Sequence, residues 1–234
     1  MGTLYLVRHG QASLGADDYD QLSALGHRQS LRLGEYFATK GLCFEAVLVG
    51  GMKRHAQTWA GIAAGLRTGA DATGTAATAQ ELQASVWPGL NEYDSAAVIG
   101  SVHAGETPRP TTPEAYRAHF RLLRQGLQQW AGGGAAPQGM PRYADFVQGI
   151  VEALDHVRRE HSGNVLLVSS GGPIATAVAQ LLGSSPQAFV ELNMRLRNTA
   201  VSELAFTPKR HTLHTFNTLP HLDTAEYADW ISYA

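Results

Sequence analysis

Three times along this chain a short apolar run ends at a polar or glycine turn and a helix-forming segment follows. Leu4–Val7 runs into Arg8, His9 and Gly10, and Phe44–Val49 into Gly50 and Gly51 ahead of the alanine-rich stretch Met52–Leu66. Val165–Val168 runs into Ser169–Gly172 and Pro173, which suits the first turn of a helix reaching about Leu182. Short apolar runs read as strands buried on both faces, the mark of a parallel sheet. The predicted fold is therefore α/β: three layers, a mostly parallel central sheet with helices on both faces, and ligands bound beyond the strand carboxyl ends.

Other segments fit that frame. Ser23–Thr39 has loosely helical apolar spacing, with Ser23 as N-cap and Gly41 as stop. Tyr116, Phe120, Leu123, Leu127 and Trp130 repeat at three and four, as do Tyr143, Val147, Ile150, Leu154 and Val157, so two more helices are expected. The Gly-, Ala- and Thr-rich segment Gly69–Thr78 reads as a loop leading to a short strand near Gln80. Gly132–Gly139 reads as a flexible connection inside an insertion, because neither flank has its own strand set. Thr199–Phe206 and Thr212–Phe216 alternate as two closing strands around Pro208, Lys209 and Arg210. A single domain over 1–234 is expected, with a helical cap or insertion at about 94–140.

Bulk properties exclude several function classes. With 44% hydrophobic and 16% charged residues the chain suits a packed globule. A net charge of −2 supplies no broad basic field, so nucleic acid is not an expected partner and any anion site must be local. No apolar run approaches the roughly 18–20 residues of a membrane span, and no leader is evident at the first residues. Cys43 is the only cysteine, so no internal disulfide forms; it reads as a small apolar residue in a protein of the reducing cytoplasm.

Arg8 and His9 set a fixed cation beside an imidazole at a strand end, where a neutral ring nitrogen can attack phosphorus while the guanidinium holds the phosphate. Alone, such a pair more often marks a surface turn. Arg54 follows Gly50 and Gly51 at a helix start, where free backbone donors and the positive dipole end favour an anion.

Leu6–Gly10 resembles the signature of the histidine phosphatase superfamily, the phosphoglycerate mutase-like branch in particular. Leu22, Ser23, Gly26, Gln29, Leu33 and Gly34 resemble its first helix; Arg54, Gln57 and Thr58 its second-helix motif; Leu90–Glu92 the segment with the acid; and Gly171–Pro173 the late strand-to-helix turn. The resemblance implies a phosphoglycerate mutase-like fold and roles for each residue. His9 would be the transiently phosphorylated nucleophile, Arg8 and Arg54 would bind the phosphoryl oxygens, and Glu92 would be the proton donor. Ser170 departs from the pattern, standing where the family has a second histidine. It retains one hydroxyl donor without the reach or the charge, and Gly171 and Gly172 offer backbone donors beside it. Gln11 and Ser13 are candidates for substrate contact. His55 stands where the motif more often has a small residue and is expected to point away into solvent. Trp87 and Tyr93 flank the acid as ring-stacking candidates for the pocket lining, but aromatics in an α/β protein are more often packing residues and neither is assigned.

The expected function is hydrolysis of a phosphomonoester through phospho-His9, in the manner of a histidine acid phosphatase, with reduced activity if Ser170 serves poorly. The expected partner is a phosphorylated small molecule, and neither cofactor nor metal is implied. Alternatives are a pseudoenzyme that binds a phosphorylated metabolite or partner through Arg8 and Arg54, and a mutase-type phosphotransferase. Ser170 as the nucleophile of a serine hydrolase lacks the required glycine two residues earlier, where Val168 stands. A metal site from His211, His214 and His221 is disfavoured, because strand alternation turns the first two to opposite sides. Substrate identity and oligomeric state are not legible; the cap segment is expected to set specificity.

Overall fold

The computed structural model describes residues 1–13, 18–73, 82–105 and 110–233. Six strands form one sheet: β1 Gly2–Arg8, β2 Ala46–Val49, β3 Ser85–Val86, β4 Asn164–Ser169, β5 Val201–Thr207 and β6 Arg210–Thr218, in the order β3-β2-β4-β1-β5-β6. The first four are mutually parallel; β5 runs against β1, and β6 runs against β5. The sheet is thus mostly parallel with one reversed strand, and the carboxyl ends of β1, β2 and β4 meet the start of β5 at one edge.

Alternation along the strands divides the core. Leu4, Leu6, Leu48, Val165 and Leu167 face α5 (Tyr143–Glu160) and α6 (Gly171–Leu181), whose Ile150, Leu154, Ile174 and Ala177 complete that cluster. Tyr5, Val7, Val47, Val49, Leu166 and Val168 face the opposite way, onto Leu33 and Phe37 of α1 (Ala24–Thr39) and Ile62 of α2 (Lys53–Thr73). β1, β2 and β4 each bury both faces, which is why their runs lack polar alternation. A third cluster joins the far side of α6 to α3 (Ser95–Gly100), α4 (Pro113–Ala131) and α7 (Pro186–Asn193), around Trp130, Leu127 and Phe189.

Several boundaries differ from the sequence reading. α2 continues through Gly69 to Thr73, so the expected loop is helical there; its remainder and the strand expected near Gln80 lie outside the described residues. A two-residue strand occurs instead at Ser85–Val86. Residues 95–100, unpatterned by eye, are helical because Asp94 caps them, its carboxylate accepting from the N–H groups of Ala96 and Ala97. Thr199 is not in a strand: its φ of 54° puts it in the left-handed region. Cys43 is exposed, not packed. Ser23 caps α1 as expected, accepting from Gly26, and Gly41 has φ +63° beyond its end.

Candidate active site

The turn after β1 is clamped from two sides. The Gly10 N–H donates to Thr58 Oγ1 at 3.0 Å, and Thr58 donates to the Arg54 carbonyl one turn back on α2 at 2.7 Å. From the other side Asn198 Nδ2 donates to the His9 carbonyl at 3.2 Å, and the Thr199 N–H reaches the carbonyls of Arg8 and His9. The strained Thr199 is held by its own hydroxyl, which donates to the Asn198 carbonyl and accepts from His221 Nε2 at 2.9 Å. His221 is therefore committed to this clamp, away from any partnership with His211. Among the described residues no group of three or more His, Cys, Asp or Glu side chains is arranged to hold a metal ion.

His9 is 3% exposed, and its Nδ1 lies 2.7 Å from the Gly10 carbonyl. A carbonyl can only accept, so Nδ1 carries the proton and Nε2 keeps its lone pair. Burial, then the positive charges of Arg8 and Arg54, hold the ring's pKa well below its usual 6.5, so His9 is neutral and nucleophilic near neutral pH.

The two arginines flank it. Arg54, 4% exposed, pairs through Nη1 with Asp20 at 2.8 Å and directs Nη2 toward Ser170 Oγ at 3.4 Å, while Tyr19 lies against its guanidinium. Arg8 donates through Nη1 to the carbonyls of Leu196 and Tyr233. Burial lowers its pKa, opposed chiefly by Glu92, from a value so high that the group stays charged. The Nε of each arginine is buried and without a hydrogen-bond partner among the described residues. Two guanidinium N–H donors beside a neutral imidazole have the chemistry of an anion site.

Glu92 is brought in from the loop after a turn of 3-10 helix at Pro88–Leu90. Its carboxyl oxygens lie 3.1 and 3.2 Å from the Gly172 N–H, and Oε1 also accepts from the Tyr93 N–H at 3.2 Å. Only glycine permits this approach: a Cβ on Gly172 would lie 2.2 Å from Oε1. Burial raises the Glu92 pKa above 4.5, against the opposing pulls of Arg54, the Gly172 N–H and Arg8.

These residues line a cavity of about 1150 Å³, with Arg8, His9, Arg54 and Glu92 on one wall and residues of α3 and α4, including Tyr116, Phe120 and Leu123, on the other. Of the two unassigned aromatics, Tyr93 lines the cavity, and its hydroxyl accepts from Asn193 Nδ2 at 2.8 Å. Nothing in the local sequence around Asn193, Asn198 or Asp20 marks them, because each reaches the site from a distant segment.

Ser170 is fully buried behind this wall, and Gly171 packs beneath Arg8, where a Cβ would lie 3.8 Å from Nε and 2.6 Å from Asn193 Oδ1. His55 is not turned to solvent. It is fully buried, with Nε2 2.7 Å from Ser170 Oγ and its ring centroid 5.8 Å from that of His9. Its place on the inward stripe of α2, with Thr58, Ile62 and Gly65, is the helical signal that would have located it. Gln11 and Ser13 are not among the cavity's lining residues. The Gln11 side chain accepts from Ser23 Oγ at 2.8 Å, tying the turn to the start of α1, and the Ser13 N–H donates to the Gln21 carbonyl.

A family model described as the histidine phosphatase superfamily (branch 1) matches residues 4–219. No match was found among curated proteins. Among solved structures, the fold is similar to an Entamoeba histolytica phosphoserine phosphatase in complex with 3-phosphoglyceric acid, at TM-score 0.64 and 19% identity over 95% of this chain and 100% of that one. A mycobacterial glucosyl-3-phosphoglycerate phosphatase matches at TM-score 0.63 and 21% identity over 93% and 100% of the two chains. A phosphoglycerate mutase from Bacillus anthracis matches at 0.62 and 17%, over 94% of each.

Proposed function

The chain belongs to branch 1 of the histidine phosphatase superfamily, and we propose that it hydrolyses a phosphorylated small molecule through a phosphohistidine on His9. The observation that carries this reading is the pair of buried guanidinium N–H groups of Arg8 and Arg54, without a hydrogen-bond partner among the described residues, flanking a neutral imidazole whose Nε2 keeps its lone pair. In the first displacement Nε2 attacks phosphorus and the ester P–O bond breaks, while Glu92 gives its proton to the departing alkoxide. Arg8 and Arg54 stabilise charge gathering on the phosphoryl oxygens. In the second, the Glu92 carboxylate takes a proton from water as its oxygen attacks phosphorus and the P–N bond breaks, which frees phosphate and restores both residues.

Hydrolysis is favoured over transfer back to substrate by the width of the cavity, about 1150 Å³, which leaves space for water beside a small phosphoester. The raised Glu92 pKa supports acid-side activity of the acid phosphatase kind. We assign α3 and α4 the role of a cap that selects the part of the substrate beyond the phosphate. The phosphoester ligands and substrates named for the neighbouring structures, phosphoglycerates among them, agree with a phosphorylated metabolite. Ser170 does not fit a serine nucleophile: its backbone is extended, with φ −108° and ψ 176°, unlike the strained elbow that exposes such a residue.

The test is a phosphomonoester panel with wild type and His9→Ala, plus rapid quenching under alkaline conditions to trap phosphohistidine. Turnover is expected to fall at least ~10³-fold in the variant, with label absent from the protein. No His9-dependent turnover at any pH would leave a phosphate-binding protein instead.

A further inference from the structure

The guanidinium of Arg8 is held in its plane by two carbonyls from distant parts of the chain. Nη1 donates to Leu196 at 2.5 Å and to Tyr233 at 2.6 Å, which engages both of its hydrogens. A single acceptor would leave the plane free to swing about that contact; two on the same nitrogen fix it. Nε is buried without a hydrogen-bond partner among the described residues, and Nη2 donates to none of them. These two nitrogens lie side by side on one edge of the planar fork, the edge that grips a phosphate through two parallel N–H bonds. Tyr233 itself lines the cavity.

The segment that carries the Tyr233 carbonyl is tied to the turn after β1 by two fully buried amides. Gln29 of α1 donates from Nε2 to the Trp230 carbonyl at 2.6 Å and to Ser232 Oγ at 3.0 Å, while its Oε1 accepts from the Gln11 N–H at 2.9 Å. The Asn198 N–H donates to the Ser232 carbonyl at 2.9 Å, its Oδ1 accepts from the Ser232 hydroxyl at 3.0 Å, and its Nδ2 holds the His9 carbonyl. Upstream, Arg28 and Arg32 of α1 lie over the rings of Trp230 and Tyr227, at 4.8 and 5.0 Å from their centroids. Residues 230–233 fall outside the 4–219 span matched by the family model.

We propose that residues 230–233 are a positioning strap of the phosphoryl site: anchored by Gln29 and Asn198, the strap sets the Tyr233 carbonyl on Arg8 Nη1 and so aims the Nε–Nη2 edge at two phosphoryl oxygens. Holding a long side chain in its bound geometry beforehand removes the ordering cost from the binding step. That the anion is a substrate's phosphoryl group rests on the hydrolase reading; the hold on Arg8 does not.

The experiment is a double-mutant cycle between a chain stopped after Ile231 and Arg8→Lys, which keeps the charge without the fork. It is read as the calorimetric affinity for inorganic phosphate and as kcat/KM on the best phosphomonoester, with His9→Ala alongside. In the Arg8 background the shortened chain is expected to bind phosphate about 10–100-fold more weakly, with kcat/KM falling in parallel. In the Arg8→Lys background shortening should cost nothing further, which a merely structural role of the segment would not produce. Ser232→Ala, which removes the hydroxyl shared by Gln29 and Asn198, should lose part of the affinity, and Ser232→Thr should recover it. Unchanged phosphate affinity in the shortened chain, a gain in affinity, or an equal loss in both backgrounds would overturn the proposal. If turnover is independent of His9 the hydrolase reading falls, and phosphate affinity across the cycle still decides the strap. Should the shortened chain lack a wild-type thermal transition, Ser232→Ala in the two backgrounds decides it.

Discussion

The carboxyl of Glu92 is subject to two opposing influences, burial raising its pKa and Arg54, the Gly172 N–H and Arg8 lowering it, with burial the larger. His9 is shifted the other way, well below 6.5. Chemistry by this pair needs the imidazole neutral and the carboxyl protonated. Falling pH removes activity when His9 gains a proton, far on the acid side; rising pH removes it when Glu92 loses one, above 4.5. The kcat/KM profile should therefore be a bell displaced to acid pH, with Glu92 setting its alkaline limb. In Glu92→Gln that limb should vanish and the rate fall by roughly 10²–10⁴-fold. A steady-state pH series on the two proteins checks this, and an alkaline limb persisting in the variant would assign it elsewhere.

At the scale of elements, α2 shows both the reach and the failure of sequence reasoning. Gly61, Gly65 and Gly69 recur every fourth residue on its face toward α1, and a Cβ would lie 2.6 Å from Ser30 Cβ, 2.1 Å from the Leu31 carbonyl and 2.5 Å from Ala38 Cβ respectively. Glycine ordinarily weakens a helix, so the sequence at Gly69 predicts the opening of a loop; here the missing side chains let two helices touch, and packing overrides propensity. Gly65→Ala should destabilise the fold by about 1–3 kcal/mol, measured as a lower urea midpoint at unchanged m. Activity should drop with it, since Arg54, His55 and Thr58 are carried by the same helix. Strands, turns and the order of His9, Arg54 and Glu92 were legible because each is encoded within a few residues. The inward turn of His55, the ion pair of Arg54 with Asp20 and the Asn193 contact to Tyr93 were not, since they depend on how distant elements meet.

Across the whole molecule, buried neutral histidines tie stability to pH. His55 and His221 have folded pKa values near 3, chiefly through burial, against about 6.5 in an unfolded chain. The unfolded state thus binds more protons below 6.5, and stability present above that pH is lost as pH falls toward 3. Each histidine should contribute a loss of roughly 2 kcal/mol between pH 7 and 5, partly offset by Glu92, whose raised pKa acts in the opposite sense. Urea melts at the two pH values check this, and His55→Gln should flatten the dependence.

The strand order has a further consequence, for the time course of assembly. β1, Gly2–Arg8, lies between Asn164–Ser169 on one side and Val201–Thr207 on the other. On a growing chain β1 precedes both partners: one of its edges stays open until Asn164–Ser169 has left the ribosome, and the other until Val201–Thr207 has. Such distant pairing is slow and leaves an apolar strand available to other chains meanwhile. The end of β1 that carries Arg8 and His9 is thus made before both strands that enclose it and is completed only with the later of the two.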